Sequence, residues 1–143
     1  MKKHLMAVAV MATAACALYA QTPQAQQPEA PGITVEKITA AASVENREPV
    51  GESAVFPKGT VRVYVWTKIA ALSAPVKIKH VYYYEGRKAA EVELAVNSSP
   101  YRVWSNKSVR PGNWKVDVTD EAGTVLATLE FSVTSEEATQ PNP

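Results

Sequence analysis

The chain has 143 residues, 15 lysines and arginines against 14 aspartates and glutamates, 46% hydrophobic residues and a single cysteine. So even a charge balance supplies no global field to gather nucleic acid or anionic lipid. One cysteine excludes a disulfide scaffold, so the fold must be held by an apolar core, which a chain of this length can build.

Met1-Lys2-Lys3-His4 precede an apolar run from Leu5 to Ala20 that only Thr13 interrupts, and the chain turns polar at Gln21. Two lysines, a short apolar stretch and small residues at its end read as a signal peptide over residues 1–20. The run is shorter than the roughly 20 residues of a membrane-spanning helix. This reading places the mature protein in the periplasm or outside the cell. Thr13-Ala14-Ala15-Cys16 faintly resembles a lipobox, but Thr13 replaces its usual aliphatic residue and Ala17 to Ala20 stay apolar. Soluble export is therefore favoured over an outer-membrane lipoprotein, and membrane attachment is expected only if Cys16 is lipidated.

Residues 21–32 are rich in Gln, Pro and Ala and read as a disordered tether; residues 135–143 have the same character and read as a disordered tail. Between them, residues 33–134 alternate β-branched or aromatic residues with polar ones in short runs, and no helical period is sustained. The expected strands are Lys37–Val44, Val61–Ile69, Val76–Tyr84, Lys88–Val96, Tyr101–Asn106, Asn113–Thr119 and Val125–Val133, with a short one near Ala54–Phe56. Seven or eight strands in about 100 residues indicate an all-β fold, an immunoglobulin-like antiparallel β-sandwich. Glu85-Gly86 predicts a tight hairpin, and Asp120-Glu121-Ala122-Gly123 a four-residue turn.

Alternation assigns faces. Val61, Val63 and Val65 are expected in the core, opposite Arg62, Tyr64, Trp66 and Lys68. Trp114, Val116 and Val118 should point inward, with Trp114 as the large core aromatic. Leu126, Leu129, Phe131 and Val133 should complete the core, and the step from Leu126 to Leu129 predicts a bulge.

Chemistry-bearing motifs are few. Beyond the leader there is one histidine, His80, and no cysteine, so Cys/His zinc clusters are not expected, nor any cofactor. A hydroxyl nucleophile for His80 would come from Ser98, Ser99 or Ser105, but no nucleophile elbow is present and a structural histidine is favoured. Glu91 and Glu93 share a strand face at about 6.5–7 Å, near the carboxylate separation of inverting glycosidases, but alternation makes them a solvated face. Asp117, Asp120 and Glu121 lack calcium-loop spacing, and Asp120 reads as a turn former. No glycine-rich phosphate loop is present. Asn97-Ser98-Ser99 and Asn106-Lys107-Ser108 have glycosylation-sequon form without further support.

Aromatic and basic residues interleave in Arg62, Tyr64, Trp66, Lys68, then His80, Tyr82, Tyr83, Tyr84, then Tyr101, Arg102, Trp104, Lys107 and Arg110. Such a set suits stacking on sugar rings or anchoring a protein partner; it also suits a sandwich core with basic side chains covering its edges.

Arg47-Glu48-Pro49-Val50-Gly51, Phe56-Pro57, Val65-Trp66-Thr67-Lys68-Ile69, His80-Val81-Tyr82-Tyr83, Glu93-Leu94, Tyr101-Arg102-Val103-Trp104-Ser105-Asn106-Lys107 and Pro111-Gly112-Asn113-Trp114-Lys115-Val116-Asp117-Val118 resemble, in order and spacing, the bacterial domain of unknown function 2914 family. Gly123, Leu126, Phe131 and Val133 continue the pattern, so the resemblance runs from about Ile38 to Val133. Tyr82 departs from it where a tryptophan is expected after the histidine, and Asn106 where a second serine is usual. The resemblance implies an extracytoplasmic or membrane-associated bacterial domain and carries no settled activity. Arg47, with Glu48 and Pro49, is expected to fix a corner between strands through an ion pair and a rigid φ angle.

Together these readings predict a non-catalytic binding or interaction module of the bacterial cell envelope. Its binding residues are expected to be Tyr64, Trp66, His80, Tyr82, Arg102, Trp104, Ser105 and Lys107, presented on a sheet face to envelope polysaccharide or a protein partner. The alternatives are a cell-wall-acting hydrolase using His80, assisted by Glu91 or Glu93, and a purely structural assembly domain.

Overall fold

The computed structural model describes residues 32–135. Among them are nine strands: β1 (Ile33–Glu45), β2 (Glu48–Glu52), β3 (Val55–Phe56), β4 (Arg62–Ala71), β5 (Val76–Tyr84), β6 (Arg87–Val96), β7 (Tyr101–Ser108), β8 (Gly112–Asp120) and β9 (Val125–Val133). They form a four-stranded sheet in the order β2-β1-β4-β7 and a five-stranded sheet in the order β3-β9-β8-β5-β6. Neighbours are antiparallel except for the short pairing of β3 with β9. The protein is an immunoglobulin-like β-sandwich, the class that the alternating pattern indicates. The expected leader with Cys16, nearly all of the tether and nearly all of the tail lie outside the described residues.

Apolar alternation builds the interior. Val63, Val65 and Ile69 of β4 point toward Ile78 and Tyr82 of β5 and Val116 and Val118 of β8, all fully buried. One apolar cluster gathers Val63, Val65, Tyr82, Trp114, Val116 and Phe131. A second gathers Ile69, Ile78, Val96, Val103 and Val118. Burying a large side chain of this kind contributes about 1.5–3 kcal/mol, so these two clusters carry the sandwich. Trp114 is the expected core aromatic: its ring lies parallel to Phe131 with centroids 6.1 Å apart, and Phe56 meets Phe131 edge-on.

The turns follow their sequence chemistry. Tyr84 pairs with Arg87, leaving Glu85 and Gly86 as a two-residue connection with φ of 46° and 79°, the left-handed pair that joins twisted strands without splaying them. Asp120 closes the β8–β9 turn by accepting the Thr124 N–H on its carboxylate and the Gly123 N–H on its carbonyl. Glu91 and Glu93 face solvent, where Glu91 pairs with Lys79 and Lys88 and Glu93 with Lys77.

Three expectations need correction or refinement. Strand β2 was not expected, because Glu48-Pro49-Val50-Gly51-Glu52 is poor in strand-favouring residues; it forms because Asn46 and Arg47, at φ of 49° and 66°, turn the chain back onto β1. Val61 is 76% exposed, because it lies one residue before β4 begins and its valine periodicity continues past the sheet. The bulge is present: Val118 pairs with Ala127 and Thr119 with Val125, so Leu126 is the extra residue.

Candidate functional site

The eight residues expected to share one sheet face fall into three places. Tyr64, Trp66, Arg102 and Trp104 lie on the outer face of the four-stranded sheet. His80, Tyr82 and Ser105 lie inside the sandwich. Lys107 lines a cleft at one end. The expectation of one continuous surface is thus corrected, and strand period explains it: Tyr82 and His80 share the inward register of β5, whereas Trp66 and Trp104 share the outward registers of β4 and β7.

The interior group is a polar staple between the sheets. His80 Nδ1 stands 2.7 Å from Ser105 Oγ, His80 Nε2 stands 2.9 Å from Thr67 Oγ1, and the Tyr82 hydroxyl is 2.6 Å from Ser105 Oγ. Thr67 on β4 and Ser105 on β7 belong to one sheet, His80 and Tyr82 on β5 to the other. All four are buried and no buried side-chain N or O among the described residues lacks a partner, which is what keeps such a network from costing stability. Burial alone lowers the His80 pKa from 6.5 to about 4, so the ring is neutral at physiological pH. A neutral imidazole satisfies both contacts by accepting at one nitrogen and donating at the other; a charged one would require both hydroxyls to accept. Burial raises the Tyr82 hydroxyl from 10 to about 12, against a smaller opposing effect of its hydrogen bond with Ser105. Sequence reasoning missed Thr67, which β-strand alternation places inward beside Val65 and Ile69.

Ser105 and His80 have the separation of a nucleophile and its base. Both are sealed in the sandwich, however, and the third partner is the Thr67 hydroxyl rather than a carboxylate. Glu91 and Glu93 point to the opposite side of the five-stranded sheet from the ring and are held by lysines.

On the outer face, Trp66 and Trp104 are cross-strand partners, with Tyr64 opposite Asn106 and Lys68 opposite Arg102. The two tryptophans differ in exposure: Trp104 is half-buried, but Trp66 is 2% exposed although it points away from the core. The tip of the β1–β2 hairpin covers it. Trp66 Nε1 donates to the Arg47 carbonyl at 2.9 Å, Glu48 pairs with Arg102 at 2.7 Å, and the Arg47 guanidinium lies 5.4 Å from the Tyr101 ring centre. Lys37, paired with Glu52, extends over the indole ring, 5.8 Å from its centre. The corner at Arg47 thus exists, but its ion pair is made by Glu48 with Arg102, and Arg47 contributes its carbonyl and a stacked guanidinium.

At the end of the sandwich, the β5–β6 turn and the β7–β8 loop enclose a cleft of about 780 Å³ to which Lys107 contributes together with Tyr84, Arg87, Lys88, Arg110 and Trp114. Lys107 shares the inward register of Ser105, but at the strand's end that register opens outward.

Fold and site thus define a β-sandwich whose polar side chains form a buried staple, an aromatic outer face and a basic end cleft. Residues 75–133 match the profile of the family described as protein of unknown function (DUF2914), which bears out the resemblance read from the sequence over that stretch. The motif stretches around Arg47, Phe56 and Trp66 precede it. No curated protein matches the chain. Among solved structures, the crystal structure of a CARDB domain from Pyrococcus furiosus, in complex with di-metal ions, is similar at 18% identity with a TM-score of 0.46, covering 74% of this chain and 96% of that one. The solution NMR structure of the same domain is similar at 16% identity with a TM-score of 0.43, covering 74% and 97%.

Proposed function

We propose that this domain is a non-catalytic binding module of the bacterial cell envelope, exported by its leader to the periplasm or cell exterior, that recognises envelope polysaccharide through the outer face of the four-stranded sheet. One observation carries the reading: Trp104 stays half-exposed on that face, with Tyr64 half-exposed and Asn106 and Arg102 exposed at neighbouring positions. Flat aromatic rings flanked by an amide and a guanidinium suit the apolar face and hydroxyls of a sugar ring. The buried Trp66 beside Trp104 and the hairpin over it hold the face in a fixed shape, which lowers the ordering cost of binding.

The experiment is retention of the domain on insoluble envelope polysaccharide, comparing wild type with Trp104→Ala after circular dichroism has shown both folded. Loss of retention supports the reading, and equal retention overturns it. Retention on the protein fraction alone, equally sensitive to Trp104, would move the ligand from polysaccharide to a protein partner. A hydrolase built on His80 has the Ser105 contact in its favour and the burial of both groups against it.

A further inference from the structure

The end cleft carries a feature that the outer face does not: a concentration of positive charge around a loop held in place by core aromatics. Arg87, Lys88, Lys107 and Arg110 line it, with Glu85 the lone acidic residue. The whole chain carries a formal charge of only +1. Glu85 is turned to the protein, where its Oε1 accepts the Asn113 N–H at 2.7 Å, and Lys88 is engaged by Glu91 at 2.6 Å. Among the described residues Arg87, Lys107 and Arg110 form no ion pair.

Arg110 is not a loose surface side chain. Its guanidinium lies 4.1 Å from the Tyr84 ring centre. The backbone on either side is pinned: Val109 N–H donates to the Val61 carbonyl at 3.0 Å, Trp114 Nε1 to the Arg110 carbonyl at 3.0 Å, and the Tyr84 hydroxyl to the Pro111 carbonyl at 2.7 Å. Stacking orients a guanidinium while leaving its in-plane N–H edge free to donate. Two unpaired cations beside a pre-oriented guanidinium are the arrangement that takes an oxyanion by charge-assisted hydrogen bonds. Fixing them in advance reduces the entropy lost on binding.

We infer that this cleft is a binding site for an oxyanion, the phosphate or carboxylate group of an acidic ligand, with Arg110 as its central donor and Lys107 and Arg87 flanking it. The site is independent of the Trp104 face, since Lys107 and Trp104 occupy opposite registers of β7.

The test is an amide NMR titration of the folded domain with tripolyphosphate and, separately, citrate, at low salt and again at 150 mM salt. Saturable shifts confined to residues around Arg87, Lys107 and Arg110 are expected with at least one probe; which one responds distinguishes phosphate from carboxylate chemistry. Arg110→Gln should weaken binding about tenfold or more, and Lys107→Gln by a smaller factor. Trp104→Ala, and Lys77→Gln at the opposite end of β5 from Tyr84, should leave it unchanged, so that this site and the sugar-binding face fail separately. No saturable shift with either probe, shifts spread over all surface lysines, or undiminished affinity in Arg110→Gln would each overturn the inference.

Discussion

The indole N–H of Trp66 and the backbone carbonyl of Arg47 meet at 2.9 Å across 19 residues of sequence, and through that contact an outward-facing tryptophan becomes a buried one. The hairpin tip and the sheet beneath it hold each other. Trp66→Phe keeps most of the ring and removes the donor, leaving the Arg47 carbonyl without its partner. The expected cost is about 1 kcal/mol in urea unfolding. Because Arg47 stands at the tip, trypsin cleavage after it should quicken relative to wild type, reporting local release of the hairpin. Unchanged stability together with an unchanged cleavage rate would show that the contact holds nothing. Arg102→Gln should cost less, since its pair with Glu48 is about half exposed and such pairs contribute at most about 1 kcal/mol.

The depressed pKa of His80 sets a pH dependence. The unfolded histidine titrates near 6.5 and the folded one near 4, so between those values the unfolded chain binds the extra proton. Stability from this group is complete above pH 6.5 and is lost as pH falls through 6.5 toward 4. At about 1.4 kcal/mol per pH unit, the loss is on the order of 3 kcal/mol. Urea melts at pH 7, 6, 5 and 4 should show the decline, and His80→Gln should flatten it across that window. Glu52 and Glu91, whose pKa values are lowered chiefly by hydrogen bonds from Lys37 and Lys88, act below the usual carboxylate range and so affect more acidic conditions. A slope that persists in His80→Gln between pH 6.5 and 4.5 would contradict the assignment.

Within the staple, Ser105 is the shared member. Tyr82→Phe removes one contact and leaves Ser105 bonded to His80, for an expected loss of about 1 kcal/mol. Ser105→Ala strips a partner from both the Tyr82 hydroxyl and His80 Nδ1, two buried polar groups, so about 2–5 kcal/mol is expected. Thermal or chemical unfolding of the two variants gives the order directly. If Ser105→Ala proves the milder change, water reaches the pair, and the staple is not the dry junction that its burial implies.

The alternation of Val63, Val65 and Ile69, and of Trp114, Val116 and Val118, made the sandwich and most of its core legible, because period-two burial is written locally. The staple was legible only in part: His80, Tyr82 and Ser105 stood out as residue types, but their meeting depends on two sheets facing each other across the sandwich, with His80 and Ser105 25 residues apart, and Thr67 gave no sign beyond its place in a valine run. The hairpin over Trp66 was illegible for a physical reason. Alternation says which side of a strand a residue takes, not what another segment lays on that side, and Glu48-Pro49-Val50-Gly51-Glu52 has little of the composition of a strand. The basic cleft was scattered in sequence from Arg87 to Arg110 and became one place only through the ends of β5, β6 and β7.

Gly112 offers a sharp test of how that cleft is built. It sits at φ 135°, a conformation that side-chain-bearing residues rarely adopt, and a Cβ there would stand 2.5 Å from Glu85 Oε1 and 2.8 Å from the Tyr84 hydroxyl. Both neighbours would have to give up a hydrogen bond to yield. The Glu85 oxygen is held by the Asn113 N–H, and the Tyr84 hydroxyl by the Pro111 carbonyl. Gly86 is also left-handed, at φ 79°, closer to the left-handed well than Gly112, and a Cβ there would meet nothing within 4 Å, so its substitution carries a smaller conformational cost and no steric one. Gly86→Ala is therefore expected to cost about 1 kcal/mol and Gly112→Ala about 3 kcal/mol or more, measured by urea unfolding. Gly112→Ala should also displace the Tyr84 ring, and with it the stacked Arg110, visible as loss of the Tyr84 ring-current shift at the Arg110 side chain. Equal costs for the two substitutions would mean that Glu85 and Tyr84 move aside freely, and the loop would then not be the rigid support that orients Arg110.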